Sequence, residues 1–408
     1  MIASVFGHLR FAEVALKSRY DAIVVGGGPS GSTLACQLAQ RGLDVLVIDK
    51  SFFPRPKCCG GGVTVRAHGL LGGLPAEVYE DTISSAQFGV RGSPVFDGRQ
   101  DSTLMFTVSR DKFDHLLLQR AQRAGADVLE GESVETLSER PESVEVGTTK
   151  GTFEARFLFG ADGSRSIVAR YIGVQNRDGF VGIETELVVS DKDLARWKSL
   201  VLVDIGWTPK GYAWVFPKRR GLSVGIGCQV SHAKHLRRAY GKFLDSLELE
   251  EYETTKSWGG FIPTCPAKPR VARGRIALLG DAAGLADPLT GEGIGNAALS
   301  AHLASAAVCK ALSQGVERLT EYQLAVEHAI VPDIEAARFF SRIIFTMPKK
   351  LLEVARLDGR IWNAACAVVR GDTSYSSIKG RVGGVGGLYS ILRGKSGRLQ
   401  AQQVKGRS

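Results

Sequence analysis

The opening residues mix apolar positions with Arg10, Glu13 and Lys17, and then a short apolar strand pattern runs from Ala22 to Val25. It stops in the cluster Gly26-Gly27-Gly28-Pro29-Ser30-Gly31. Apolar residues at helical spacing follow (Leu34, Ala35, Leu38, Ala39), and Arg41-Gly42 marks the end of that helix, because glycine accepts the turn beyond a last helical carbonyl. A second apolar run, Val45 to Ile48, closes on Asp49-Lys50. Strand patterns of the same buried type return at Phe153 to Phe159 and Ile276 to Leu279, ending in Gly160-Ala161-Asp162-Gly163 and Gly280-Asp281. Between them, residues 180–230 hold alternating or β-branched runs ("VGIETELVV", "SLVLVDIG", "GYAWVFPK", "GLSVGIGC") split by turn residues, the pattern of an antiparallel sheet. A loop closed by Gly291-Glu292-Gly293-Ile294 precedes a helical run of small residues from about Asn296, and helical spacing continues to about 372. The fold class expected is α/β, with a Rossmann-type nucleotide-binding domain, an antiparallel sheet and a helical C-terminal region.

The turn at Gly26, Gly28 and Gly31 fits G-x-G-x-x-G, and its mechanics are specific. Gly26 makes the tight turn, Gly28 lets backbone approach a pyrophosphate, and Gly31 permits close helix–strand packing. The helix opening at Pro29-Ser30 offers free N–H groups and a positive dipole end. Asp49 lies 18 residues past Gly31, where a carboxylate accepts ribose hydroxyls, with Lys50 beside it. This turn alone does not separate NAD from FAD.

Composition excludes more than it assigns. The chain of 408 residues is 44% hydrophobic and 23% charged, ordinary for a globular protein. Its 7 cysteines have no zinc-site spacing and no secreted-framework pattern, so reduced thiols in a cytoplasmic protein and no metal are expected. No uninterrupted apolar stretch of about 18 residues occurs, and no spanning helix is expected. The leader 1–19 reads as an amphipathic helix or as an irregular segment before the first strand. The net charge of +10 is uneven: residues 373–408 carry seven Lys or Arg and no acid. Such a tail is either a solvated extension or a patch for anionic surfaces.

The segments "FEARFLFGADGSRSIVAR" and "GRIALLGDAAGLADPLTGEGIGNAALSA" resemble the second and third FAD fingerprints of the p-hydroxybenzoate-hydroxylase-fold flavoproteins. That resemblance implies FAD as cofactor, with Asp162 in its second fingerprint and Asp281 on the ribityl chain. It also implies that Gly291, Gly293 and Ile294 open a helix toward the flavin pyrimidine carbonyl. Arg110, in "TVSRDKFDHLL", matches the family position near the cofactor. Two local motifs narrow the likeness. Tyr212-Ala213-Trp214-Val215-Phe216-Pro217 looks like the YxWxFP signature of geranylgeranyl reductases. "PRPKCCGGG" looks like that family's P-x-x-K-x-C-G-G loop, with Lys57, Cys59, Gly60 and Gly61 in register. The resemblance covers roughly residues 20–300.

It implies reduction of isolated double bonds in a polyprenyl substrate by hydride from reduced flavin plus a proton, with NAD(P)H or another reductant as electron donor. Tyr212, Trp214 and Phe216 alternate on one strand face, as substrate wall or as sheet packing. Cys59 is either the proton donor or flavin gate, with thiolate character lent by Lys57, or a small residue filling space. Cys58 reads as structural, and a Cys58–Cys59 disulfide would need a strained eight-membered ring. A flavin-dependent monooxygenase or halogenase on the same fold is the alternative. Halogenases are similar in an aromatic-x-Trp-x-aliphatic-Pro strand, but Phe216 takes the aliphatic place and the K-x-C-G-G loop has no counterpart. A flavin-bound lipid carrier or a redox sensor using both cysteines is a third reading.

The division expected is a leader, 1–19, and a FAD-binding domain assembled from 20–83, 101–170 and 271–305. Residues 84–100 form an excursion into a substrate domain whose main part is 171–270. Residues 306–372 are helical and 373–408 form the basic tail. The amphipathic stretch 337–357, with Lys349-Lys350 and the tail, suggests peripheral docking on an anionic membrane surface. No nucleic-acid partner is expected, and oligomeric state is not readable.

Overall fold

The computed structural model describes residues 16–175 and 178–382. In chain order, β1 (Arg19–Val25), α1 (Pro29–Ala39) and β2 (Val45–Asp49) make the first unit. β3 (Gly62–Thr64), α2 (Val65–Leu70), β4 (Tyr79–Ile83), β5 (Ser85–Val90), β6 (Ser93–Arg99) and β7 (Met105–Val108) lead to α3 (Arg110–Arg123). β8 (Asp127–Glu130), β9 (Val134–Glu139), β10 (Val144–Thr148), β11 (Gly151–Gly160) and α4 (Ile167–Tyr171) follow.

Next come β12 (Gly179–Val189), α5 (Asp191–Trp197), β13 (Leu200–Ile205), β14 (Gly211–Lys218), β15 (Gly221–Gln229), α6 (Leu236–Asp245) and β16 (Tyr252–Pro263). β17 (Ala272–Arg273), β18 (Ile276–Leu278) and α7 (Ile294–Ser313) return to the first sheet. The remainder is helical: α8 (Thr320–Ala329), α9 (Val331–Thr346), α10 (Pro348–Leu357), α11 (Gly359–Arg370) and α12 (Tyr375–Val382).

The first sheet has the order β17-β18-β11-β1-β2-β8, with β10 and β9 added antiparallel beside β11. β18, β11, β1, β2 and β8 are mutually parallel. Their near-continuous apolar runs follow from burial on both faces: every residue from Ala22 to Val24 and Phe157 to Phe159 is fully buried. α1 packs between α3 and α7 on this sheet, and the carboxyl ends of β1, β11 and β18 open toward one crevice.

The second sheet runs β16-β12-β15-β14-β13-β5-β6, antiparallel except for β13 against β5. Residues 85–99 therefore leave the first sheet's neighbourhood to edge the second. One face, with Ala213, Val215, Val224 and Ile226, packs on Leu236, Ala239 and Phe243 of α6. The opposite face carries Tyr212, Trp214 and Phe216, all partly buried.

A third, antiparallel sheet runs β3-β7-β4, and the C-terminal helices tie the two larger sheets together. Trp362 of α11 lies edge-on to Phe88 and Phe96, against the bare face of Gly98, and α11 also packs on α2. The amphipathic stretch 337–357 is two helices, divided at Met347, because Pro348 starts α10 at a position where its missing N–H is no loss. Among the described residues no helix is long and apolar enough to cross a membrane. Residues 1–15 of the leader and 383–408 of the basic tail lie outside the described residues.

Candidate functional site: a dinucleotide crevice closed by a glycine loop and an aromatic strand

The turn after β1 divides its glycines by task. Gly26 has φ +107, and a Cβ there would collide with the carbonyl oxygen of Ala161. A Cβ on Gly31 would collide with the carbonyl oxygen of Gly26. Both are packing positions. Gly28 differs: the nearest atom to a Cβ there is the tip of Arg55 at 3.7 Å. The open space lies at the N-terminus of α1, which has no side-chain cap and no acid in its first turn, so its dipole end is uncompensated. Asp49, 8% exposed, accepts from Gly27 N–H at 2.8 Å and Ser51 N–H at 2.9 Å, leaving lone pairs for further donors. Lys50 beside it is exposed. Asp162 Oδ2 accepts from Ile167 N–H at 2.7 Å, while its Oδ1 is buried with no partner. Burial pushes the Asp162 carboxyl above its usual range. An open phosphate cradle and an orphaned acceptor next to it fit an FAD nucleotide end.

The loop 54–61 crosses from this end to the aromatic sheet. A Cβ on Gly60 would sit 2.7 Å from Phe216 Cδ2 and 3.1 Å from Trp214 Nε1. Gly61, at φ +71, turns the chain against the carbonyl of Val108 and donates no side chain to a space already held by Lys218. Lys218, 8% exposed, donates to the carbonyls of Gly60 at 2.8 Å and Val108 at 2.7 Å. Burial, offset by Glu186, Glu184 and Cys59, lowers its pKa. Lys218 ends β14, so the strand carrying the aromatics also fastens the loop. Sequence reading passed over this lysine because nothing local marks a buried cation.

Around the cysteines the charges are placed differently from the sequence expectation. Lys57, expected to activate Cys59, is paired with Asp281 at 3.5 Å. The cation beside Cys59 is Arg110, 6% exposed and bidentate to Asp114 at 2.8 and 2.9 Å. Burial works against the Arg110 charge, but Asp114 and Cys59 outweigh it and the net shift is upward. Asp114 is shared with Arg55 at 3.3 Å, which is how the loop is held to α3. Cys59 Sγ accepts from Gly61 N–H at 3.4 Å. Cys58 points the other way, into the second sheet. All the cysteines are free thiols.

The third glycine segment closes the crevice. α7 begins at Ile294, with Gly293 as its uncapped N-terminal residue. Asp281 Oδ1 lies 3.5 Å from where a Gly293 Cβ would be, so the Lys57–Asp281 pair stands at the mouth of this helix. Glu292 accepts from Gly295 N–H, and burial raises its pKa. Gly291, at φ +69, lies against the hydroxyl of Tyr212, which donates to the Thr290 carbonyl. Asp287, 7% exposed, accepts from Leu289 N–H and Thr290 Oγ1, both at 2.7 Å. Burial and the Asp287 carboxylate raise the Tyr375 phenol well above its usual value; thus α12 reaches the same loop.

The sequence candidates gather into two neighbouring groups. Gly26, Gly28, Pro29, Ser30, Gly31, Asp49 and Asp162 gather at the N-terminus of α1. Lys57, Cys59, Gly60, Gly61, Arg110, Asp281, Gly291, Gly293, Ile294, Tyr212, Trp214 and Phe216 gather around the Gly60 loop and the N-terminus of α7. Ser30 Oγ, 3.2 Å from a Cβ placed on Gly280, joins them. The Trp214 indole lies over the bare faces of Gly225, Gly182 and Gly227, its N–H buried without a partner.

Known proteins share this arrangement. The FAD binding domain family matches residues 19–235. A geranylgeranyl diphosphate reductase of Rhodobacter capsulatus is 30% identical over 305 residues, covering 73% of this chain and 77% of the relative. A digeranylgeranylglycerophospholipid reductase of Methanocella arvoryzae is 28% identical over 357 residues, 83% and 91% of the two chains. In structure, a geranylgeranyl bacteriochlorophyll reductase-like protein of Thermoplasma acidophilum superposes with a TM-score of 0.75 at 22% identity, over 92% of this chain and 96% of that one. The halogenase PltM shares the fold at 0.70 and 18%, over 86% and 82%. The chain is an FAD-binding oxidoreductase and belongs to the geranylgeranyl reductase family.

Proposed function

We propose that the protein saturates isolated double bonds of a polyprenyl chain, using a tightly placed FAD reduced by NAD(P)H or another donor. One observation carries this reading. The K-x-C-G-G loop and the Y-x-W-x-F-P strand lie far apart in sequence, yet Lys218 Nζ bonds the Gly60 carbonyl and the Phe216 ring fills the bare face of Gly60. Two motifs that would be independent coincidences are one built wall.

FAD, when bound and reduced, supplies the hydride. The chain's own residues supply placement, charge and exclusion of water. The α1 N-terminus and Gly28 would hold the pyrophosphate, and Asp281 with the α7 N-terminus would hold the ring end. Arg110, Lys57 and Lys218 lie toward that end and would favour the anionic form of a reduced ring. Tyr212, Trp214 and Phe216 present an apolar face to an isoprenoid. An unconjugated alkene offers no carbonyl to polarise, so positioning and a nearby acid bear the catalytic load.

The halogenase likeness reaches the fold alone, and the loop fastened by Lys218 is what sets the reductase reading apart. Anaerobic incubation of dithionite-reduced holoenzyme with geranylgeranyl diphosphate, followed by lipid mass spectrometry, tests it. A product heavier by two hydrogens per reduced bond is expected. Product formed only when oxygen is admitted would overturn it.

A further inference from the structure

The middle of β12 holds a carboxylate that the reading above leaves without a task. Glu184 is 1% exposed. Ser223 Oγ donates to its Oε1 at 2.8 Å, and the Cys58 thiol donates to its Oε2 at 3.6 Å. Among the described residues it makes no ion pair. In register it faces Gly225 of β15, and Gly225 faces Trp214 of β14, so Glu184 and Trp214 stand on the same side of the sheet. Cys58 lies over that side too, its Sγ 3.2 Å from where a Gly260 Cβ would be. A buried carboxyl with two hydrogen bonds and no ion pair among the described residues is a poor structural filler, since an apolar residue occupies such a position at less cost. It is well placed to hold a proton.

We propose that Glu184 holds the proton that completes double-bond reduction and delivers it through the Cys58 thiol; this rests on the reductase reading above. One alkene carbon takes the hydride, with its electron pair, that reduced flavin supplies. The π pair forms the second C–H bond with the Cys58 proton as the S–H bond breaks. With the thiol hydrogen turned to the alkene, the proton carried on Glu184 Oε2 moves to Cys58 Sγ in the same event. Glu184 is left as a carboxylate held by the Ser223 hydroxyl and regains a proton from solvent before the next turnover. Glu184 thus acts through Cys58 as a positioning residue. Cys58 becomes the working member of the cysteine pair, and Cys59, turned toward Arg110 and the loop backbone, packs the cofactor end.

The groups facing Glu184 agree with this. Burial raises its pKa, with Ser223 of β15 and Lys218 of β14 pulling it back and Glu186 of β12 adding to the rise. Tyr240 of α6 feels the same charge. Cys58 is pushed up to about 12, by burial first and then by Glu184, so it remains a protonated donor at neutral pH.

Two measurements separate this inference from the reading it rests on. The first needs no substrate: iodoacetamide labelling of Cys58 at pH 9 in the holoenzyme, located by fragment-ion mass spectrometry. Glu184→Gln, which removes the carboxylate that forms once Glu184 has titrated and that opposes the thiolate, is expected to label about tenfold faster, one unit of thiol pKa, and Glu184→Asp to stay near wild type. Equal rates in all three would overturn the pairing of Cys58 with Glu184 whatever the substrate. The second is single-turnover flavin reoxidation by geranylgeranyl diphosphate under nitrogen. Wild type is expected to slow as pH rises through the Glu184 titration. Glu184→Gln, with FAD content unchanged, is expected to lose about 100-fold and to lose that pH limb, and Glu184→Asp to restore part of both. A Glu184→Gln enzyme with wild-type rate and pH profile overturns the relay. A wild-type enzyme inert toward the polyprenyl probe overturns the reductase reading, and with it the relay, even where labelling shows the two side chains coupled.

Discussion

Lys218 is a buried lysine whose partners are two backbone carbonyls. Among the described residues it has no ion pair, so its charge is solvated only by Gly60 and Val108 oxygens. Lys218→Met keeps the stem and removes the donor, leaving two buried carbonyls unpaired. A loss of about 1–3 kcal/mol is expected, read by urea unfolding, together with weaker FAD retention. Its pKa lies below the ordinary 10.5, so an unfolded chain holds a proton there that the folded chain has lost. Stability contributed at this site therefore grows as pH rises toward the ordinary lysine value, and Lys218→Met is expected to flatten that slope. Unchanged stability and cofactor content would show that the loop needs no fastening. Lys218 and Glu184 were the residues least legible in the sequence, because each owes its role to neighbours about 40 to 160 positions away. The cofactor glycines were legible because their roles are local.

The first strand-turn-helix shows how a single element can be read twice. Its spacing identifies a dinucleotide turn, but only the three-dimensional surroundings tell which glycine serves the fold and which the ligand. Gly31→Ala drives a methyl into the Gly26 carbonyl, and unfolding or failure to express is expected. Gly28→Ala meets nothing closer than the flexible Arg55 tip, so the apoprotein melting temperature is expected to stay unchanged while FAD affinity falls by about tenfold or more, roughly 1.4 kcal/mol. Equal loss of apoprotein stability in both variants would contradict the division. Strand positions were legible from burial on both faces, which writes continuous apolar runs. The α9–α10 break was obscured because amphipathic spacing continues through Met347-Pro348, whereas an excursion was expected at 84–100, where β5 and β6 lie, although no local pattern specifies its pairing with β13.

On the scale of the whole molecule, the two larger sheets and a helical cap meet at one crevice, and the aromatic strand, the glycine loop and the α7 N-terminus come from three distant parts of the chain. Exposed Met347 and Leu357 with Lys349 and Lys350 leave an apolar and basic rim on α9–α10. Co-sedimentation is expected to be stronger with anionic than with neutral vesicles, and to weaken on Lys349→Glu/Lys350→Glu substitution; equal sedimentation with both vesicle types would contradict it. The central claim is that reduced flavin in this crevice gives its hydride to a polyprenyl double bond. Mixing photoreduced, oxygen-free holoenzyme with geranylgeranyl diphosphate and following the oxidised-flavin absorbance tests it most directly. The absorbance is expected to return in proportion to saturated bonds formed. Flavin that stays reduced until oxygen enters would contradict it.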